Sequence, residues 1–304
     1  MLSDYLFYRA ISPESGGGSS GDYEALVKAM VEGESFSLES DAVTKIEDSV
    51  FYLVNGLSYV SFPNAVSVGF SAFYYSGLTG ADLPNVETIG NVAFKSTKLK
   101  SISLPNAWSI GEDAFASCHE LTEIDFPKMT YLPSLAFSFC EKLKTVNIPK
   151  VNTIRNRSFS GCSSLSNIVL REVLSIGESA FYNCTNLTNV NIPLVGTIPK
   201  GAFENCTQLT KVDLHKVTSI GDQAFYGCEN LTALIIRTTS TVCVTSFSAL
   251  VDTPIVQGTG HIYVPSAMYE NYRAGYEPAM NEAGLTGMFD IMFRKIEDYP
   301  EICG

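Results

Sequence analysis

Basic side chains are scarce in this sequence of 304 residues: 20 lysines and arginines stand against 32 aspartates and glutamates, for a net charge of −12. The pI is near 4.7. Proteins that bind nucleic acid or an anionic membrane non-specifically need a basic surface. We therefore predict no nucleic-acid partner, and the simplest role of the acidic excess is solubility.

Long apolar runs are also missing. No run reaches the roughly 18 residues of a membrane-spanning helix, so we predict no transmembrane segment. The opening residues, MLSDYLFYRA, lack the basic start and the cleavage site of a secretory signal. Either the native protein is made without a leader, or a leader has been removed.

The residues that usually carry chemistry are few and scattered. His119, His215 and His261 lie far apart and lack the spacing of a metal site or a catalytic triad. The glycine run SGGGSSG at residues 15–21 does not lie between a strand and a lysine-bearing helix, as a phosphate-binding loop does. We predict a protein that is not an enzyme and has no catalytic, metal or cofactor site.

Internal repetition dominates the sequence. The string IGEDAFASCHELTEIDFP at residues 110–127 returns along the chain with small changes, and its phenylalanine recurs every 21 or 22 residues. The marker phenylalanines are Phe51, Phe73, Phe94, Phe115, Phe137, Phe159, Phe181, Phe203, Phe225 and Phe247. A fixed period of this length indicates a solenoid. Because the repeat runs without interruption over residues 44–247, we predict one elongated domain with caps, rather than the two domains that length alone suggests.

Each repeat follows one plan. The segment LxxIxLP is strand-like, with alternate residues facing out, and its proline ends the strand pairing. A second apolar pair turns the chain, and the Ala-Phe pair forms a tight helical or 3₁₀ corner. The glycine before that corner, as in Gly177, is replaced by Pro133 or Pro199 in other repeats. Since proline cannot adopt positive φ, we attribute this glycine to close packing.

Six of the eight cysteines occupy one position, three residues after the marker phenylalanine. They are Cys118, Cys140, Cys162, Cys184, Cys206 and Cys228. Val54, Ser76, Thr97 and Leu250 take the same place in other repeats, as expected for a small buried side chain. This favours a reduced, buried ladder; disulfides between neighbouring coils are the alternative.

The two ends of the chain depart from the repeat. Residues 1–21 form an apolar peptide and a Gly/Ser tether, and residues 22–43 a helical N-terminal cap in which Tyr23, Leu26, Val27 and Met30 share one face. Residues 248–304 form a mixed C-terminal cap. Within this cap we predict a last strand, HIYVP, and a short helix that starts near Ser266 and buries Met268, Tyr269 and Tyr272.

The unit LxxIxLPxVxxIGxxAFxxC resembles the BspA-like, or Treponema-pallidum-type, leucine-rich repeats of bacteria, and the ending TPIVQGTGHIYVPSAMYENYRA is similar to the segment that follows such repeats. The resemblance implies a leucine-rich-repeat solenoid, a curved right-handed stack of about ten coils of 21–22 residues. A parallel sheet forms one face and short helical or 3₁₀ corners the other. It also implies display outside the cell, where the solenoid binds proteins or surfaces without catalysis.

The outward positions of the predicted sheet are candidate ligand contacts. They include Glu123, Asp125, Asn147, Asn167, Asn189, Asn191, Lys211 and Asp213, and they continue to Ala233 and Ile235. This polar, asparagine-rich face suits a glycan or a protein, although a soluble repeat needs a polar exterior in any case.

Basic residues collect at the predicted strand exits, although the whole chain is acidic. Lys128, Lys150, Arg171, His215, Lys216 and Arg237 lie there. They form a basic rim for an anionic partner, or their long side chains simply cover apolar edges. Trp108 is predicted to be exposed, either as a binding anchor or at a tolerant position, because varied residues take its place in other coils: Glu87, Thr130, Asn152, Leu174, Gly196 and Thr218.

Two functions stay open. The first is a bacterial leucine-rich-repeat binding module that recognises a protein or glycan on a host or bacterial surface, through the sheet face and the basic rim. The second is a structural or receptor-binding component of a phage-type assembly, docked by residues 1–21. The resemblance favours an extracellular or cell-surface location; the missing signal keeps a cytoplasmic or phage-particle location open.

Overall fold

A computed structural model describes residues 35–240, 243–244, 247–282 and 286–303. The chain divides into two compact units, residues 1–151 and residues 152–304. The predicted N-terminal peptide and tether, and the apolar stripe of the predicted N-terminal helix, lie outside the described residues.

The first unit is built from short strands joined by turns. They are β1 (Phe36–Glu39), β2 (Lys45–Ile46), β3 (Leu57–Ser61), β4 (Ser67–Val68), β5 (Gly80–Asp82), β6 (Thr88–Ile89), β7 (Ser101–Ser103), β8 (Ser109–Ile110), β9 (Glu123–Asp125), β10 (Tyr131–Leu132) and β11 (Thr145–Asn147). The odd-numbered strands form parallel sheets on one wall, called here the sheet face, and β2, β4, β6 and β8 pair in parallel on a second wall.

The second unit continues the same pattern and adds helices near its end. Its strands are β12 (Thr153–Ile154), β13 (Asn167–Val169), β14 (Ser175–Ile176), β15 (Asn189–Asn191), β16 (Thr197–Ile198), β17 (Lys211–Leu214), β18 (Ser219–Ile220), β19 (Ala233–Ile236), β20 (Cys243–Val244), β21 (His261–Val264) and β22 (Phe293–Lys295). The helices are α1 (Ser266–Glu282), α2 (Met288–Met292) and α3 (Pro300–Cys303), with 3₁₀ helices at Phe247–Leu250 and Ile296–Asp298. The sheet face carries the order β13-β15-β17-β19-β21-β22.

Phenylalanine stacking fills the core of both units. In the first unit, the rings of Phe73 and Phe94 lie 5.0 Å apart and 10° from parallel. In the second unit, Phe181 and Phe203 lie 5.3 Å apart at 4°. The described marker phenylalanines from 51 to 225 are all at most 1% exposed. The predicted leucine-rich-repeat solenoid, with its parallel sheet and phenylalanine core, is therefore confirmed as the fold class.

The corners of the repeats differ in detail from the predicted helical or 3₁₀ form. From Phe51 to Phe225, each is a pair of successive turns, and the residues two before and two after the marker phenylalanine adopt positive φ, as Ser179 (53°) and Asn183 (57°) do around Phe181. The last corner, Phe247–Leu250, is a 3₁₀ helix, as predicted. This left-handed backbone interrupts a continuous helix and points peptide groups toward the next coil. The Phe181 N–H, for example, donates to the Ala202 carbonyl at 2.8 Å.

The glycine before the corner is required by close approach, as predicted. Gly177 does not adopt a positive φ, so conformational freedom is not the reason for glycine here. A Cβ atom added to it would lie 2.4 Å from the Asn156 nitrogen and 2.5 Å from Asn156 Oδ1. That same oxygen accepts the Glu178 N–H at 3.0 Å. The Asn156 side chain thus occupies the space left by the missing Cβ of Gly177 and bonds the backbone of the next coil.

The six ladder cysteines are buried and form no disulfide bonds, as the reduced-ladder interpretation predicts. Five of the thiols donate to main-chain carbonyls of the preceding coil, those of Cys118, Cys140, Cys184, Cys206 and Cys228. Cys206 Sγ, for example, donates to the Phe181 oxygen at 3.2 Å, and Cys228 Sγ to the Phe203 oxygen at 3.1 Å. Burial raises the pKa of Cys228 to about 12.

This raised pKa predicts a loss of stability at alkaline pH. An unfolded thiol titrates near pH 8.5. Since the folded pKa is higher, the stabilisation is complete below about pH 8.5 and is lost as the pH rises toward 12, because only the unfolded chain ionises. We expect this thiol alone to reduce the free energy of unfolding by about 2 kcal/mol between pH 8 and 10.

Urea denaturation at several pH values, for the unsubstituted chain and for Cys228→Ala, measures the effect. The substitution lowers stability at every pH because it opens a cavity. The free energy of unfolding should also fall less steeply with rising pH in Cys228→Ala, because this variant lacks one titrating thiol and the other thiols are the same in both proteins. Identical pH slopes would contradict the prediction.

The C-terminal region confirms two predictions and corrects two others. HIYV forms β21, and a helix starts at Ser266 with Met268 and Tyr272 buried and Tyr269 half-buried. The helix has 17 residues and is longer than predicted. β21 is not the last strand, because β22 pairs with it in parallel, Ile262 opposite Phe293. The apolar alternation of a three-residue strand is too short to be recognised in sequence.

Candidate functional site

The sheet face of the first unit carries two of the predicted contact residues, Asp125 and Asn147, in a hydrogen-bonded polar network with Ser103. Asn147 and Asp125 are register partners on β11 and β9. Asn147 Nδ2 donates to Asp125 Oδ1 at 2.6 Å, and Ser103 Oγ donates to Asp125 Oδ2 at 2.9 Å. Glu123 lies beside them and is exposed. The carboxylate of Asp125 is therefore largely satisfied by its own neighbours.

The sheet face of the second unit presents an amide patch, defined here as Asn167, Val169, Asn189 and Asn191. The register places Asn167 opposite Asn189 and Val169 opposite Asn191. All four are exposed, and Val169 is 62% exposed. Asn189 Nδ2 donates to Thr188 Oγ1 at 3.3 Å. Among the described residues, no group is hydrogen-bonded to the side chains of Asn167 or Asn191. The patch thus offers the unused amide groups of Asn167 and Asn191 beside one apolar side chain.

Further along the same sheet, the predicted contacts are occupied by the chain itself. Lys211 Nζ donates to the carbonyl of Ile302, and Arg237 Nη2 to that of Cys303. Arg237 also makes two bonds of 2.8 Å to the Asp213 carboxylate. The Asp213 bonds are the main reason that the pKa of Arg237 is raised. These three side chains hold the C-terminal segment against the sheet.

Ala233 and Ile235 correct the expectation of an exposed outward position. They are 6% and 0% exposed. They form a buried cluster with Tyr263 and Cys303, against which Ile296, Tyr299 and Ile302 pack. The physical reason is a contact over a long sequence distance: the chain returns through β22 and lies over the outward face of β19 and β21.

The basic-rim residues have different environments. In the first unit, Lys150 is exposed, and Lys128 Nζ bonds to Asn106 Oδ1 at 2.6 Å. In the second unit, Arg171, His215 and Lys216 are exposed, and His215 Nδ1 lies 3.8 Å from Asp213 Oδ1. Arg171 follows the end of β13 and therefore lies next to the amide patch.

Two exposed aromatic features lie away from the sheet face. Trp108 is 58% exposed at the start of the second wall, as predicted. Tyr52 and Tyr75 are 43% and 50% exposed at corners of the first unit, and Tyr52 lies 5.5 Å from Tyr74, ring to ring. Sequence reasoning missed this tyrosine cluster. Its signal is the tyrosine that directly follows the marker phenylalanine in the first two repeats.

The described part of the chain contains no group of three or more His, Cys, Asp or Glu side chains placed to hold a metal ion. Within the same residues, no helix has both the length and the apolar character needed to cross a bilayer. The arrangement offers hydrogen-bonding and apolar contact surfaces, and these are properties of a binding module.

Several solved bacterial structures resemble this chain. A leucine-rich cell surface protein of Faecalibacterium prausnitzii A2-165 has 25% identity and a TM-score of 0.44; the match covers 69% of this chain and 65% of that protein. A leucine-rich repeat protein of Bacteroides ovatus has 23% identity and a TM-score of 0.45, with coverages of 85% and 83%. The T. pallidum leucine-rich repeat protein has 21% identity and a TM-score of 0.32, with coverages of 65% and 78%.

This chain therefore spans about two thirds of the length of the F. prausnitzii protein. No curated protein matches it in sequence. The family model of the BspA type leucine rich repeat region, however, matches in six copies, over residues 30–143, 87–194 and 130–251. These matches cover well over half of the chain, and they coincide with the phenylalanine-marked coils described above. The chain belongs to the BspA-type leucine-rich repeat family.

Proposed function

We propose that this protein is a non-enzymatic recognition module that adheres to a protein or glycan on a host or bacterial surface through its sheet face, and that it acts outside the cell. Its family suggests a protein-binding repeat module, which supports the general class. The amide patch on β13 and β15 is the observation that carries the specific proposal.

The chemistry of the patch suits a flat polar partner. An asparagine side chain both donates and accepts hydrogen bonds, so it can pair with peptide groups or with sugar hydroxyls. Neighbouring strands repeat the amides at a spacing of about 4.8 Å. Val169, exposed at 62%, adds an apolar contact at one corner of the patch, opposite Asn191. Such a combination gives both hydrogen bonding and burial when a partner covers it.

Arg171 extends the patch with a positive charge. It is exposed, two residues after Val169. An arginine at this edge can bond a carboxylate or sulfate group of an anionic partner. Arg237 is not available in the same way, because it bonds Asp213 and the C-terminal segment.

Binding of labelled protein to mucosal surface preparations and to intact bacterial cells tests this proposal. We expect saturable binding that Val169→Asp weakens at least tenfold, because the charge must be desolvated against the partner. Leu174→Asp is the matched control: it changes an equally apolar side chain, 57% exposed, just before β14, a strand that is not part of the sheet face. It should leave binding within twofold.

Equal losses in the two variants, or no saturable binding to either material, would contradict the proposal. Binding to bacterial cells alone would shift preference toward a role on bacterial surfaces. The alternative role in a phage-type assembly stays a prediction, because residues 1–21 lie outside the described part of the chain.

A further inference from the structure

The outward face of β19 and β21 is apolar, in contrast to the amide patch on β13 and β15. Ala233, Ile235 and Tyr263 are at most 6% exposed because Tyr299, Ile302 and Cys303 lie on them. The rings of Tyr263 and Tyr299 meet edge to face, with centroids 5.4 Å apart. Apolar side chains grouped on an outward sheet face indicate a surface built to be covered.

Two cationic side chains beside this apolar surface contact the main chain of the segment that covers it, residues 296–303. Lys211 bonds the carbonyl of Ile302, and Arg237 bonds that of Cys303. Asp213 orients Arg237 through two bonds of 2.8 Å. Every peptide carries carbonyl groups, so these contacts do not depend on the particular side chains of the tail.

The covering segment itself is thin. It consists of the 3₁₀ turn Ile296–Asp298 and the single-turn helix α3. Within it, Tyr299 and Ile302 are only half-buried, and Glu301 is exposed. Segments with few buried contacts open more readily than the core of a fold. We therefore expect this segment to open more readily than the strands below it.

We infer that the outward face of β17, β19 and β21 is a peptide-binding site, and that residues 299–303 occupy it as an intramolecular ligand. The site takes a short acidic peptide with apolar side chains at the places of Tyr299 and Ile302, and with carbonyls at the places bonded by Lys211 and Arg237. Negative charge in the peptide is favoured because Lys211 and Arg237 together outweigh the single negative charge of Asp213. The inference concerns a part of the sheet face that does not include the amide patch, and it does not require that patch to bind anything.

A labelled peptide with the sequence of residues 296–303, under reducing conditions, is the probe. Fluorescence anisotropy measures its binding to the full chain and to the full chain carrying Ile302→Asp. The tail of the unsubstituted chain competes at an effective concentration on the order of millimolar. In the variant, the chain's own residues 299–303 no longer cover the apolar face. We therefore expect the variant to bind the peptide at least tenfold more tightly than the unsubstituted chain does. Adding Arg237→Gln to this variant should weaken binding at least fivefold.

A control peptide with aspartate at the place of Ile302 should not bind. Circular dichroism melting confirms that each variant is folded, and Tyr299→Ser repeats the test if Ile302→Asp does not fold. A folded tail variant that fails to bind the peptide, or that binds both peptides equally, overturns the inference and leaves the tail as a structural cap. The outcome is separate from that of the Val169→Asp experiment, which uses a different surface and a different probe.

Discussion

Phe181→Ala should lower the free energy of unfolding by about 3–5 kcal/mol, the usual loss for a large side chain removed from a packed core. Phe181 is fully buried. Its ring stacks on Phe159 at 5.5 Å and on Phe203 at 5.3 Å, so the cavity is open to two coils and the rigid stack cannot easily close it. Chemical denaturation monitored by circular dichroism measures the loss.

Leu174→Ala is the control for this substitution. Leu174 is 57% exposed, so its truncation should change the free energy of unfolding by no more than about 0.5 kcal/mol. An unchanged denaturation curve for Phe181→Ala would mean that the phenylalanine ladder does not form the core, and the register of every coil would have to be revised.

Gly177→Ala should lower the free energy of unfolding by about 3 kcal/mol, at the upper end of the range for overpacked sites. The added Cβ would meet backbone atoms of Asn156 and Arg155 at 2.4 and 2.5 Å. Backbone cannot move aside as a flexible side chain can. The substitution would also press on Asn156 Oδ1, which holds the Glu178 N–H. The same denaturation measurement applies.

Gly196→Ala is the matched control, because no heavy atom of the described residues, apart from the glycine and its two chain neighbours, lies within 4 Å of its added Cβ. It should change stability by no more than about 0.5 kcal/mol. If the two alanine variants were equally stable, close approach between coils would not explain the glycine that precedes the corner.

The fold could be predicted because the phenylalanine period of 21 or 22 residues is unusually regular. Its corners could not be predicted in the same detail. The positive-φ places hold residues as different as Val92, Leu135, Arg157 and Gln223. Main-chain hydrogen bonds to neighbouring coils impose this conformation. The side chains at these positions therefore share no feature from which a positive φ could be predicted.

The candidate site was predictable only where it depends on strand alternation. The outward placement of Asn167, Asn189 and Asn191 follows from the period of two in a strand, and the structure exposes all three. The covering of Ala233 and Ile235 depends on the return of a segment more than 60 residues later in the chain. No local pattern reports such a contact. The available clue in the sequence was that Ala233 and Ile235, two apolar residues, occupy outward positions of a strand.

The central claim is that a partner contacts the sheet face rather than another wall of the solenoid. A photo-cross-linking amino acid at position 169 or at position 174 tests it, since both places are exposed in one coil. After binding to the mucosal preparation and irradiation, the probe at 169 should form a covalent adduct with the partner, and the probe at 174 should not. Adducts from position 174 alone, or from neither position despite saturable binding, would contradict the claim.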